Sequence, residues 1–120
     1  MKIYSFCLIE KESKYLVMLK SKMPYWNLPG GHIEDGENSV NCVIRETKEE
    51  TTLDVSSLIL IHELKVYSFR GKKMGVYLYK TNDVKGSVVL NDEHIEYKWV
   101  TKKEILKLNV FDYLKEWAQG

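Results

Sequence analysis

Residues 38–51 carry the clearest helical pattern in a chain whose other apolar stretches favour strands, and this contrast restricts the fold more than any other feature. Asn38 or Ser39 can cap such a helix, because either side chain accepts from a free backbone N–H of the first turn. An apolar stripe follows the i, i+3, i+4, i+7 spacing of one buried helix face: Val40, Val43, Ile44 and Thr47. The pattern predicts one helix packed against a sheet.

The segments around this helix are rich in Ile, Val, Leu, Tyr and Phe, which favours strands. Arg70-Gly71-Lys72 predicts a turn between the strands over 58–69 and 73–81. Thr101 with Glu104 forms a capping box for a short helix from Lys102. A last helix is predicted over 109–117 with Phe111, Leu114 and Trp117 facing inward. The predicted strands cover 2–10, 14–20, 58–69, 73–81 and 95–100. This order is typical of an α+β protein, and its length predicts a single domain over 1–120.

Three glutamates, Glu46, Glu49 and Glu50, fall within an arc of about 100° on the helix side opposite the stripe. They are either a solvated charged face, whose repulsion Lys48 and Arg45 relieve, or a site for a hard divalent cation. Spacing alone favours the first interpretation, and the loop before the helix favours the second.

That loop covers residues 21–37 and contains both prolines. Gly30 and Gly31 have no side chains, so their backbone can approach a metal ion or a phosphate closely. Pro29 stiffens the chain before them. For this tripeptide alone, a plain Pro-Gly-Gly turn is the simpler interpretation.

Charge and cysteine content restrict the classes of partner. The formal net charge is +1, so no strong field favours nucleic acid or an anionic membrane, and no stable nucleic-acid partner is expected. Cys7 and Cys42 form no Cys-x-x-Cys pair and are expected to be reduced thiols. The first residues are too polar for a signal peptide, and no apolar run approaches the about 18 residues of a membrane span. A cytoplasmic protein is expected.

The segment from Gly31 resembles a known family. It runs Gly31, five residues, Glu37, seven residues, Arg45-Glu46-Thr47, one residue, Glu49-Glu50, one residue, Thr52-Leu53. This resembles the Nudix box, G-x5-E-x7-R-E-U-x-E-E-x-G-U with U aliphatic, and the lead-in over 26–31 looks like the usual approach to that box. The resemblance implies a Nudix-type α/β/α sandwich with a mixed β-sheet. It also implies a Mg²⁺-dependent pyrophosphohydrolase, with Mn²⁺ as the alternative ion.

Two positions depart from the box. Thr47 replaces an aliphatic residue, and its methyl group is still expected to pack on the core stripe. Thr52 replaces a glycine after the helix. A left-handed backbone conformation is common at this position, and β-branched residues disfavour it. We therefore predict that this turn adopts a different conformation, or that the helix continues slightly further.

The resemblance also implies roles for individual residues. Arg45 would pair with Glu37 or a helix glutamate, and Gly31 and Glu37 would be structural. Glu46 or a downstream acid, Glu93 or alternatively Glu96, would act as general base, and an ordinary exposed acid is the alternative for both downstream residues. The implied metal ligands are the Gly30 carbonyl and the carboxylates of Glu46, Glu49 and Glu50.

The implied substrate is a small nucleotide, either a nucleoside di- or triphosphate or a damaged nucleotide. Candidate substrate contacts are Trp26, His32, Tyr67 and Tyr77, with plain core or loop positions as the alternative. Tyr67 keeps a dinucleoside polyphosphate hydrolase open, because such enzymes often have a tyrosine after the box. A non-catalytic nucleotide-binding module is a further alternative. A monomer or a homodimer is expected.

Overall fold

The computed structural model describes residues 1–120 and contains nine strands and three helices. The strands are β1 (Lys2–Lys11), β2 (Lys14–Lys20), β3 (Trp26–Asn27), β4 (Gly30–His32), β5 (Asp54–Ser56), β6 (Ile59–Phe69), β7 (Lys72–Thr81), β8 (Asp83–Lys85) and β9 (His94–Val100). The helices are α1 (Ser39–Thr51), α2 (Lys102–Ile105) and α3 (Asp112–Gln119). None of them is both long enough and apolar enough to cross a membrane.

One parallel strand pair lies at the centre of an otherwise antiparallel sheet. Strands β1 and β7 run parallel from Lys2 opposite Met74 to Ile9 opposite Thr81. The main order is β3-β2-β1-β7-β6, with β4 pairing β1 and β9 pairing β2, while β5 and β8 form a small separate sheet. The mixed sheet implied by the resemblance is confirmed.

Alternating residues of β1 supply two separate cores. Phe6 and Leu8 belong to an apolar cluster that includes Leu114 of α3, whereas Cys7 and Ile9 belong to a second cluster that includes Val43 of α1. Successive strand side chains point to opposite faces, so the sheet is covered by a helix on each side. We call these sides the α3 face and the α1 face. The arrangement is the α/β/α sandwich that the family resemblance implies.

The long predicted elements occur where the pattern placed them, within one to three residues at their ends. The capping box of α2 forms, since the Thr101 side chain accepts from Glu104 N and the Glu104 side chain accepts from Thr101 N. Four short strands were missed: β3 and β4 within the predicted loop, and β5 and β8 elsewhere. Strands of two or three residues are too short to show an alternating pattern.

The end of α1 contradicts the prediction for Thr52. Thr52 adopts the left-handed conformation itself, with φ 64° and ψ 2°, and its N–H donates to the Lys48 carbonyl at 2.9 Å. Its hydroxyl donates to the Ser87 carbonyl at 2.7 Å. These two hydrogen bonds hold a β-branched residue in a conformation that glycine adopts more easily.

The buried stripe of α1 is rotated relative to the predicted one. Asn38 caps the helix as expected, and its side chain accepts from Asn41 N at 2.8 Å. Val43 and Thr47 are fully buried, but Val40 is 38% exposed and Glu50 is only 8% exposed. At 100° per residue, Glu50 lies about 20° from Val43 on the helix surface, so it enters the protein interior beside it.

Candidate active site

Glu50 is a buried carboxylate beside the first residue of β4. Its Oε1 accepts from the backbone N–H of Gly30 at 2.9 Å. Gly30 has a φ of +145°, and a Cβ there would lie 2.1 Å from the Ser5 carbonyl oxygen. Only glycine fits this position, and its tight pairing with β1 is what presents its N–H to Glu50.

Gly31 serves Glu46 in a similar way. A Cβ on Gly31 would lie 2.6 Å from the Glu46 carboxyl carbon. The absence of a side chain therefore lets the Glu46 carboxylate lie directly against the loop. At both positions, the lack of a side chain lets a glutamate of α1 lie against the backbone of β4.

Arg45 connects the remaining acids. Its guanidinium makes a two-pronged contact with Glu37, Nε to Oε2 at 2.7 Å and Nη2 to Oε1 at 3.0 Å. Its Nη1 donates to Glu46 Oε1 at 3.0 Å and contacts both Glu49 carboxylate oxygens at 3.3 Å. These hydrogen bonds hold the pKa of Glu37 at about 2. The sequence left open whether Arg45 pairs with Glu37 or with a helix glutamate, and in the structure it binds both.

Burial and crowding destabilise the charged forms of two helix glutamates. Burial raises the pKa of Glu50 to about 8, opposed by the Gly30 N–H and reinforced by the charges of Glu46 and Glu93. Burial also raises the pKa of Glu46, against the attraction of Arg45. Such a group of hard oxygen donors carries excess negative charge that a divalent cation would neutralise.

These carboxylates are the kind of oxygen ligand that magnesium prefers, but their side chains do not converge on one point. No three His, Cys, Asp or Glu side chains converge closely enough to hold an ion. Glu46 and Glu49 instead contact Arg45, and Glu49 is largely exposed. The prediction that all three glutamates lie on the helix side opposite the buried stripe is wrong for Glu50, because this residue is buried.

A loop from residue 86 to residue 93 brings Glu93 to this group. Val89 N–H donates to the Thr51 carbonyl at 2.9 Å and Asn91 N–H to the Glu50 carbonyl at 3.1 Å, so the loop satisfies free carbonyls at the end of α1. Glu93 then pairs with Lys20 at 3.5 Å and raises the pKa of both Glu46 and Glu50. Glu96 instead lies within β9 opposite Leu19.

A cavity of about 690 Å³ opens beside these carboxylates. Glu50, Gly30 and Gly31 line one end of it, together with His94. Its walls include four methionines and five aromatic side chains, Tyr4, Phe6, Tyr25, Phe69 and Phe111. Phe69 and Phe111 stack with ring centroids 4.4 Å apart. Such walls suit a nucleobase beside a phosphate-binding end.

The four predicted substrate contacts do not line this cavity. Trp26 is buried under the Lys98 ammonium at 4.9 Å, and His32 meets the edge of Tyr4 at 5.9 Å. The Tyr67 hydroxyl donates to Glu116, and Tyr77 packs against the core of the α1 face. The wall residues Tyr25 and Phe111 were missed, because the hydrogen bond from Trp26 N to the Asn109 carbonyl joins two segments that are distant in sequence.

Comparison with known proteins agrees with this geometry. The model of the NUDIX domain matches residues 3–119. The asymmetrical bis(5'-nucleosyl)-tetraphosphatase of Rattus norvegicus is 30% identical over 109 residues, which cover 87% of this chain and 74% of that protein. The C. elegans Ap4A hydrolase in a binary complex superposes with a TM-score of 0.79 at 26% identity, covering 99% of this chain and 93% of that one. A Burkholderia pseudomallei MutT NUDIX hydrolase shares the fold, with a TM-score of 0.86 at 18% identity over 98% of this chain and 95% of that one. The chain therefore belongs to the NUDIX domain family of hydrolases.

Proposed function

We propose that this protein is a Mg²⁺-dependent pyrophosphohydrolase that cuts a phosphoanhydride bond in a nucleoside di- or triphosphate, damaged nucleotides included. The observation that carries the proposal is Glu50, which lines one end of an aromatic cavity and lies close enough to Glu46 and Glu93 for their charges to raise its pKa. The carboxylates and the aromatic walls match the two halves of a nucleotide, a polyphosphate and a base. Family membership supports the same reaction class.

The Gly30 carbonyl and the carboxylates of Glu46, Glu49 and Glu50 would hold the magnesium ion. When bound, that ion supplies charge neutralisation on the anhydride and a more acidic water. Arg45 then acts as a positioning residue, because its contacts with Glu37 limit where the helix glutamates can lie. Manganese has the same preference for carboxylate oxygens and is the alternative ion.

Two carboxylates compete for the role of general base. Glu46 lies against Gly31, and Glu93 lies on the loop that crosses the end of α1. A base must come within hydrogen-bond reach of the attacking water. Of the downstream acids, we propose Glu93 rather than Glu96, because only the charge of Glu93 raises the pKa of both Glu46 and Glu50.

The test is a panel of nucleotides assayed with magnesium for release of phosphate and pyrophosphate. Nucleoside triphosphates, oxidised nucleotides and dinucleoside polyphosphates form its three arms. Turnover of a triphosphate, abolished by a chelator and by Glu50→Gln, supports the proposal. Magnesium-dependent binding without turnover in any arm would contradict it and leave a non-catalytic binding module.

Dinucleoside polyphosphate hydrolysis is the second candidate function. The observation in its favour is the similarity to tetraphosphatases of that name from Rattus norvegicus and C. elegans, the latter 33% identical over 101 residues. Preferential turnover of the dinucleoside polyphosphate would select this function.

A reducing, cytoplasmic setting is part of the proposal, because both cysteines are free and buried. A monomer or a homodimer is proposed, to be decided by light scattering.

A further inference from the structure

The cavity has a second, positively charged end that the proposed reaction does not use. Lys2, Lys72 and Lys73 line it there. Arg70 lies beside them in the β6–β7 turn, with its guanidinium 5.7 Å from the ring of Tyr25 and 5.6 Å from the ring of Phe69. Three lysines that line the cavity and one arginine beside its aromatic wall thus form a basic end.

Strand register places this basic end far from Glu50. Gly30 pairs with Phe6 of β1, and Phe6 lies opposite Leu78 of the parallel strand β7. Lys2 precedes Phe6 by four residues, which is about 13 Å along a strand. Lys73 precedes Leu78 by five residues, or about 16 Å. The acidic and basic ends are therefore separated by most of the cavity, with the aromatic wall residues between them.

The basic end has no internal counter-charge. None of its four cations forms an ion pair within the protein, whereas Lys20 near the acidic end pairs with Glu93. Like charges gathered at a cavity mouth repel one another and attract an anion. A mononucleotide whose anhydride lies at Gly30 and Glu50 carries all its charge at that end. It leaves the lysines without a partner.

We propose that the basic end binds a second phosphate group, on the 2′ or 3′ side of the nucleoside whose 5′ anhydride is cut. This inference rests on the proposed function and narrows its substrate class. The second phosphate is either the terminal group of a nucleoside 3′-phosphate or the phosphodiester of an oligonucleotide 5′ end. Both offer the same anionic oxygens to lysine and arginine.

The experiment compares three substrates with the same base: a nucleoside 5′-triphosphate, its 3′-phosphorylated form and a 5′-triphosphorylated dinucleotide. We expect a second phosphate to raise kcat/KM about tenfold, as charge-assisted contacts in a partly exposed site allow. The advantage should shrink as salt rises. An advantage for the 3′-phosphorylated form alone identifies a terminal phosphate, and an advantage for the dinucleotide as well identifies an oligonucleotide end.

The double variant Lys72→Glu, Lys73→Glu should remove this advantage. Its matched control is Lys14→Glu, Lys103→Glu, which makes the same change in net charge at exposed lysines that do not line the cavity. Equal kcat/KM for all three substrates in the wild-type protein, or an advantage that survives in the double variant, overturns the inference. Thermal melting confirms that each variant is folded.

Calorimetry with a chelator present separates this inference from the proposed function. A nucleoside 3′,5′-bisphosphate should bind more tightly than the 5′-monophosphate, and only the wild-type and control proteins should show the difference. If no nucleotide is cut but this binding difference holds, the proposed function fails and the basic site stands. If turnover occurs without a binding difference, the basic site fails alone.

Discussion

The two faces of the sheet are built for different tasks. The α3 face holds a cluster of sixteen buried apolar residues, while the cluster of the α1 face holds eight. The α1 face also buries polar groups, including Thr47, Glu50 and Thr51 of its helix. The acids come from the helix of the α1 face, whereas the larger apolar core supplies most of the packing and, through Phe6 and Phe111, part of the cavity wall.

The α1 face also contains groups that reduce the stability of the fold. Thr47 Oγ1 is buried without a hydrogen-bond partner, and Thr52 is held in the left-handed region. Glu50 is a carboxylate whose charged form is disfavoured where it lies. Sites that hold charge in a preorganised position commonly reduce stability in this way. Four substitutions test whether the two faces differ as described.

The largest effect is expected for Glu50→Gln on the α1 face. The amide oxygen can still accept from Gly30 N–H, but the carboxylate that would bind magnesium is lost. We expect kcat/KM to fall by about 1,000-fold, without a fall in the free energy of unfolding, because a buried acid has been replaced by a neutral group. Steady-state kinetics and urea unfolding measure the two quantities. Glu63→Gln, on exposed β6, is the control, and near-normal activity of Glu50→Gln would contradict the metal assignment.

Leu114→Ala on the α3 face should show the opposite profile. Leu114 is fully buried in the larger cluster, so its truncation should lower the free energy of unfolding by about 3 kcal/mol. Below the melting range, kcat should be nearly unchanged. Leu106→Ala, at a position 41% exposed, is the matched control and should cost less than about 0.5 kcal/mol. A large loss of kcat in folded Leu114→Ala would break the division between the faces.

Thr47→Val should stabilise the protein, because it replaces an unpartnered buried hydroxyl with a methyl group. We expect a gain of about 1 kcal/mol in the free energy of unfolding. Thr51→Val is the contrasting variant, since the Thr51 hydroxyl donates to the Thr47 carbonyl at 2.7 Å and accepts from Leu53 N at 3.2 Å. Urea titration should therefore give opposite signs for the two. A loss in Thr47→Val would show that its hydroxyl has a partner in solution.

Thr52→Gly is expected to have the smallest effect. Glycine relieves the left-handed strain but loses the hydrogen bond to the Ser87 carbonyl, so the net gain should be at most about 1 kcal/mol. Thr52→Ala loses the hydrogen bond and keeps the strain, so it should melt below both other proteins. Differential scanning calorimetry ranks the three. A glycine variant that melts below the alanine variant would contradict the strained left-handed conformation of Thr52 at the end of α1.

Local signals in the sequence predicted much of the fold. The helix α1, its Asn38 cap and the Thr101–Glu104 capping box all depend on neighbours within one or two helical turns, and all form. The mixed sandwich came from the family resemblance rather than from periodicity. The rotation of the stripe toward Glu50 was missed because spacing does not show how the helix is rolled against the sheet.

The candidate site divides in the same way. The acids of α1 are recognisable in the sequence from their helical spacing, and the resemblance to the Nudix box connects them with the two glycines before the helix. The cavity walls are not, because Tyr25, Phe69 and Phe111 come from three separate segments and meet only through long-range packing. Aromatic residues on a strand pattern do not reveal whether they line a cavity or fill a core.

The sequence by itself determined the charged groups available for chemistry, because side chains within two turns of one helix keep a set relation to one another whatever surrounds them. The tertiary structure alone decided which of those glutamates is buried, which is held by arginine, and which distant acid joins them. It also decided that lysines from the starts of β1 and β7 gather at the far end of one cavity. Burial and long-range charge depend on contacts between segments far apart in the chain, and no local pattern encodes those contacts.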